Sequence, residues 1–142
     1  MPDIIHYFQI KSPAEKIYKA VTTKEGVDGW WTEENTADAK VGSIIEFNFG
    51  EQYQNRMKVL TLVENKLVEW ECLEGDTEWV GTKYKFEIME DEQYCWLRFS
   101  HTDWKEQTDF YGSCNYHWGL YMKSLKSFCE DGKGTPFLKT LT

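Results

Sequence analysis

No stretch of about 18 consecutive apolar residues occurs in this sequence, which excludes a membrane-spanning helix. Positive charge is also scarce. Sixteen Lys and Arg stand against 24 Asp and Glu, a formal charge of −8, and no basic cluster interrupts the acidic balance. Phosphate backbones and anionic lipid surfaces both require a basic face, so neither nucleic acid nor a membrane is an expected partner. The acidity favours solubility and indicates no particular partner of its own. The N-terminus, MPDIIHYFQIK, lacks the basic start and long apolar core of a secretory signal. Cys72, Cys95, Cys114 and Cys129 are scattered, with no C-x-x-C pair and no zinc-like spacing. Reduced thiols in a cytoplasmic protein are the expectation. No repeat or low-complexity run is present. The 142 residues suit one domain with a core that needs neither metals nor disulfides, and residues 135–142 read as a flexible or docked tail.

What is abundant is aromatic: 16% of the chain, including seven Trp. Such residues fill large cores and line pockets for apolar or ring-bearing ligands. They concentrate between Gln107 and Gly132, where Tyr111, Cys114, Asn115, Trp118, Tyr121, Met122, Leu125, Phe128 and Cys129 recur at intervals of three and four. That spacing predicts a helix of roughly six or seven turns with one wide apolar face. Gly132, Gly134 and Pro136 end it. Gly112 and Gly119 are unusual inside such a pattern; Gly119 reads as a close approach, a bend, or relief of crowding beside Trp118.

The remainder of the chain supplies a partner for that face. Asp3 to Lys11 alternates as a strand. Ser12-Pro13-Ala14-Glu15 reads as a capping box with Pro at the first helical position, opening a short helix. Thr22-Thr23-Lys24-Glu25 opens a second, which ends near Trp30-Trp31. After a polar connection over Asn35 to Lys40, apolar residues alternate in strands over Ser43–Phe49, Arg56–Val63, Leu67–Leu73, Gly81–Met89 and Gln93–Thr102. Short polar turns between them favour an antiparallel meander. The order predicts an α+β domain in which a curved sheet of about six or seven strands grips a long C-terminal helix.

This order resembles the helix-grip superfamily that includes START-like (SRPBCC) and birch-pollen-allergen-like proteins. Within it, the chain is most similar to bacterial proteins related to the activator of the heat-shock-protein-90 ATPase. The resemblance is carried by Ile10 to Tyr18, the Trp30-Trp31 pair, Lys66 to Trp70, Leu97 to His101, and Trp118 to Lys126. It implies a cavity between the concave sheet and the C-terminal helix, used in the family for lipids, polyketides, hormones or other hydrophobic molecules. Other members are enzymes or interaction modules. The chain opens on its first strand, so the extra N-terminal domain of the eukaryotic activator, and with it chaperone stimulation, is not expected. Fold alone does not choose among these functions.

The side chains expected to line such a cavity are Phe47, Phe49, Tyr84, Phe86, Leu97, Phe99, His101, Tyr111, Asn115, Trp118 and Met122. His101 is the candidate acid or base, near neutral pH in an unperturbed setting; the ordinary alternative is a histidine bonded to backbone at the rim of the sheet. Asn115 could hold a carbonyl or hydroxyl, and Tyr84 or Tyr111 could orient a ligand. Trp118 is either core or cavity wall. Cys114 and His117, with His101, Asp103 and Glu106 nearby in sequence, form only a weak metal pattern, and no cofactor is expected. Cys114 with either histidine is an equally weak nucleophile–base pair. Trp79, Trp96 and Trp104 are expected to be exposed, which suits a homodimer contact.

Three functions follow. The first is binding of a small apolar or aromatic molecule between helix and sheet. The second is acid–base chemistry by His101 on a ring or carbonyl compound. The third is a protein–protein or chaperone-associated module with a filled core and a tryptophan-rich surface patch.

Overall fold

Alternation of apolar side chains sets Ile4–Ile10 as the first strand, β1. A computed structural model describes residues 2–51 and 53–137, with backbone only at Tyr53. Two helices follow, α1 (Ala14–Thr22) and α2 (Lys24–Trp30). Then come β2 (Glu34–Asn35), β3 (Ile44–Phe49), β4 (Tyr53–Val63), β5 (Leu67–Glu74), β6 (Lys83–Glu90), β7 (Cys95–Thr102) and the long helix α3 (Asp109–Asp131). The sheet order is β1-β7-β6-β5-β4-β3-β2, every pair antiparallel. It is the helix-grip α+β arrangement. Register shifts in β4 at Arg56/Met57 and Val59/Thr61 let the strand bend, as bulges do, and help the sheet curl toward α3.

Three local readings are corrected. The capping box at Ser12 does not form. Pro13 itself is the N-cap, in extended conformation, and its carbonyl accepts from Lys16 N and Ile17 N. Ser12 Oγ turns to the Pro13 carbonyl, and the Glu15 carboxylate pairs with Lys19 in solvent. The polar connection after α2 begins with β2, a two-residue edge strand paired to Asn48 and Phe47, too short for alternation to reveal. The second helix does form within the expected stretch, but its cap is one residue later than a Thr22–Glu25 box would place it: Thr22 ends α1, and Thr23 Oγ1 accepts from Gly26 N at 3.0 Å.

α3 is unbroken from its N-cap Thr108 to Gly132, which takes the left-handed conformation (φ 81°) that glycine adopts freely. It passes Gly119 without interruption, and a Cβ there would only touch His6 at 3.5 Å, so neither a bend nor a close approach requires that glycine. The tight approach lies instead at Gly29 of α2, where a Cβ would collide with the ring of Phe128. Ser124, buried on α3, joins three segments: its hydroxyl donates to Trp30 O at 2.8 Å and accepts from Thr135 N at 2.7 Å. Phe137 bridges to Thr32, its N–H donating to Trp31 O at 2.8 Å. Residues 138–142 of the expected tail lie outside the described residues. No helix among the described residues is long and apolar enough to cross a membrane.

Candidate ligand-binding cleft

The centre of the grip is filled with rings. Trp118 projects from α3 and meets Phe99 at 4.4 Å and Trp31 at 5.2 Å between ring centroids. Trp31 in turn meets Phe47 at 4.6 Å, and Phe47 meets Trp70 at 4.9 Å. Spacings of this kind are aromatic van der Waals contact and leave no room for a ligand. Phe47, Tyr84, Phe86, Leu97 and Phe99, expected as cavity walls, are all fully buried in this packed layer, and Met122 is buried beyond it. Tyr111 lies aside, its hydroxyl donating to Asp3 O at 2.7 Å and its ring set edge-on to Trp104. Asn115, expected on the inward face, is exposed. At about 100° per residue it falls on the flank of α3 beyond Met122, outside the grip. Trp104, expected on the surface, is only 1% exposed and packs on His101.

His101 is buried and has a partner on each ring nitrogen. Trp118 Nε1–H donates to His101 Nδ1 at 3.1 Å, and an indole can only donate. Thr82 Oγ1 spends its hydrogen on Trp79 O at 2.6 Å, so at 2.8 Å it accepts from His101 Nε2–H. The partners therefore fix a neutral Nε2–H imidazole. Burial lowers its pKa from 6.5 to about 3. The acid–base role expected of His101 is corrected on two grounds: neither nitrogen is open to a substrate, and the ring stays neutral in the working pH range.

The open space lies to one side. A partly open cleft of about 710 Å³ is bounded by one flank of α3, the loop between β5 and β6, and the turn between β3 and β4. From α3 come Phe110, Ser113, Cys114, His117, Trp118 and Tyr121; from the β5–β6 loop, Asp76 and Trp79. Phe49, Gly50, Glu51 and Asn55 close the opposite wall, with Trp31 and Phe137 at the base. Of the side chains expected in a cavity, the cleft brings together only Phe49 and Trp118. The cavity residues missed on α3 did leave a signal. Phe110, Cys114, His117 and Tyr121 recur at i, i+4, i+7 and i+11 along one edge of the helix, and Cys114 and Tyr121 already belong to the apolar stripe.

Local chemistry holds the cleft in shape. Thr108 Oγ1 accepts from Tyr111 N at 3.1 Å as the N-cap of α3 and donates to the Glu78 carboxylate, which fastens the β5–β6 loop to the helix start. Asp76 Oδ1 accepts from Glu78 N at 2.9 Å, and Asp76 O from Trp79 N at 2.9 Å, folding the loop on itself. Trp79 Nε1 donates to Cys114 Sγ at 3.4 Å. Burial, with the nearby charges of Asp76 and Glu78, pushes the Cys114 thiol up to about 11, against the pull of Trp79. That thiol stays protonated and is a poor nucleophile. His117 Nδ1 lies 2.8 Å from Ser113 O, which can only accept, so Nδ1 carries the hydrogen. Asn55, 3% exposed, donates Nδ2 to Phe47 O at 3.0 Å. Gly75 stands close against Asn55 Oδ1; a Cβ there would come within 2.5 Å of that oxygen.

The outer face of the sheet carries a separate aromatic group. Trp96 points away from α3 and stacks on Tyr7 at 4.7 Å, while the Arg98 guanidinium lies 5.1 Å from the Tyr7 ring centre.

Comparison with known proteins fits this architecture. The solution structure of the Aha1 dimer from Colwellia psychrerythraea is similar at a TM-score of 0.86 and 39% identity, over 94% of this chain and 100% of that one. MLL2253 from Mesorhizobium loti matches at TM-score 0.80 and 18% identity, over 89% and 95%. BH1534 from Bacillus halodurans matches at TM-score 0.76 and 20% identity, over 92% and 98%. These last two speak to fold alone. Among curated proteins, none matches. The family described as Activator of Hsp90 ATPase homolog 1-like protein matches residues 11–130, nearly the whole of the fold, and the chain belongs to that family.

Proposed function

We propose that the protein binds a small apolar or aromatic molecule in the lateral cleft of α3. The observation that carries this reading is the wall: seven aromatic side chains, Trp31, Phe49, Trp79, Phe110, Trp118, Tyr121 and Phe137, face about 710 Å³ of space. Ligand pockets run to roughly 300–1,000 Å³ and join apolar walls to a few placed polar groups. Here Asn55, Asp76 and His117 supply those groups. The acid–base alternative loses support because His101 is neutral and enclosed and Cys114 remains a thiol.

The first test is mass spectrometry of natively purified protein, under native and then denaturing conditions. An added mass that disappears on denaturation is the expected result. Location is tested with the neutral dye N-phenyl-1-naphthylamine. Ser113 is exposed on the cleft wall, so Ser113→Trp fills the space without touching the core. Dye binding should be saturable in the native protein and absent from that variant. Undiminished binding in folded Ser113→Trp would place the ligand elsewhere.

A homodimer is the second reading, supported by the Colwellia protein, which is a dimer at 39% identity. Sedimentation at micromolar concentration should give the mass of two chains; one chain at every concentration would remove it.

A further inference from the structure

The cleft offers carboxylate, amide and imidazole acceptors beside the hydroxyls of Ser113 and Tyr121, which can act either way. Two of its lining residues carry a formal charge, Glu51 and Asp76, and no Lys or Arg is among the described residues that line it. Among the described residues neither carboxylate is in an ion pair. Asp76 commits only Oδ1, to Glu78 N, which leaves Oδ2 without a donor among the described residues. Asn55 is nine-tenths buried and more, and lines the cleft. Its Nδ2 is held by Phe47 O, which orients its Oδ1 as an acceptor beside Gly75. The His117 ring, with its hydrogen on Nδ1, offers Nε2 as a further acceptor. Acceptors at a half-buried site gain from a ligand that brings hydrogen.

Trp79 and Trp118 lie nearly parallel in the wall, at 13° and 6.2 Å between centroids, and suit the ligand's apolar or aromatic body. The field of Asp76 and Glu78 reaches the Cys114 thiol in the wall and helps hold it protonated. An anionic ligand would meet unpaired carboxylates in a partly desolvated site and be repelled.

We infer that the ligand of this cleft is an amine: an apolar or aromatic body carrying a protonated primary or secondary ammonium group. The ammonium sits among Asp76, Asn55 and Glu51, and the body lies against Trp79, Trp118 and Phe110. This rests on the lateral cleft being a ligand site, and adds the sign of the charge and the need for N–H donors.

The test is a matched series in isothermal titration at pH 8: 4-phenylbutylamine, 4-phenylbutanol and 4-phenylbutyrate. The amine should bind about tenfold more tightly than the alcohol, with the carboxylate weakest, and the advantage should shrink with added salt. Asp76→Asn and Glu51→Gln should each cut the ratio of amine to alcohol affinity by about threefold or more, with the far-ultraviolet circular dichroism unchanged. Glu51 is exposed, so its variant folds even if the loop at Asp76 proves sensitive. Equal affinity for amine and alcohol, or preference for the carboxylate, overturns the inference. If N-phenyl-1-naphthylamine still binds in that case, the cleft remains a ligand site and only the charge assignment falls. Silence of both the series and the dye removes both.

Discussion

Trp118 on α3 donates its indole N–H to Nδ1 of His101 on β7 at 3.1 Å, inside the grip where helix and sheet meet. One bond thus decides two matters. It fixes the tautomer of the histidine, and it closes the space where a central cavity would otherwise lie. Protonating His101 would set a second N–H against the indole N–H in a fully buried site.

A pH dependence follows. In the unfolded chain His101 titrates near 6.5 and in the fold near 3. Between those values the unfolded state binds the proton and the folded state does not, so stability falls as pH drops from 6.5 toward 3. The loss attributable to this residue is at most about 1.4 kcal/mol per pH unit. His101→Gln offers a donor and an acceptor without titrating. Urea unfolding at pH 7, 5 and 4 should show a shallower decline in His101→Gln than in the native protein. Parallel declines would mean that His101 is protonated in the fold.

The indole itself is tested by Trp118→Phe, which keeps a ring on Phe99 but removes the donor. His101 Nδ1 is then buried without a partner, at a cost of about 1–3 kcal/mol. With His101→Gln in the background, the double-mutant cycle should give a coupling of about 1 kcal/mol. Strict additivity in denaturant unfolding would show that the contact stabilises nothing.

How much of this was legible in the sequence depends on the range of each interaction. Periodicity is local, so α3, the meander from β3 to β7 and the glycine stop at Gly132 could be read directly. The outward direction of Trp96 followed from its phase in β7. The cavity could not be read. Alternation identifies which residues face the helix, yet whether they meet it or leave a gap depends on ring sizes from four separate segments, Trp31, Phe47, Trp70 and Trp118 among them. Asn115 failed for a related reason: a stripe read at three-and-four spacing is wider than the face a curved sheet covers. His101 was found as a polar residue on an inward face, but its neutrality depends on Thr82 and Trp118, which are distant in sequence.

Gly112 provides a test of helix propensity free of packing. A Cβ there meets nothing within 4 Å, its φ is ordinary, and it does not line the cleft. Gly112→Ala should stabilise the protein by up to about 1 kcal/mol. For a chain of this length that corresponds to a rise in Tm of roughly 2–4 °C in calorimetry. Gly132→Ala should move Tm the other way, since φ 81° strains any side chain. An increase in both would show that the end of α3 is not held in the left-handed turn.

Thr108 joins stability to binding. Its hydroxyl caps α3 through Tyr111 N and holds the Glu78 carboxylate, so the loop carrying Asp76 and Trp79 is fixed relative to the helix carrying Cys114 and Trp118. Thr108→Ala removes both bonds, costing about 0.5–2 kcal/mol for the cap. Thr108→Ser keeps the oxygen and both partners. If the loop is held chiefly by this residue, Thr108→Ala weakens dye binding by more than its loss of stability explains, because the two walls of the cleft no longer keep their spacing, while Thr108→Ser binds as the native protein does. The readouts separate through hydrogen exchange. Faster exchange at Trp79 and Val80, whose N–H groups bond Asp76 O, is expected in Thr108→Ala alone. Unchanged exchange there, with the stability loss confined to the first turn of α3, would mean that the loop holds its own shape and that Thr108 is only a cap.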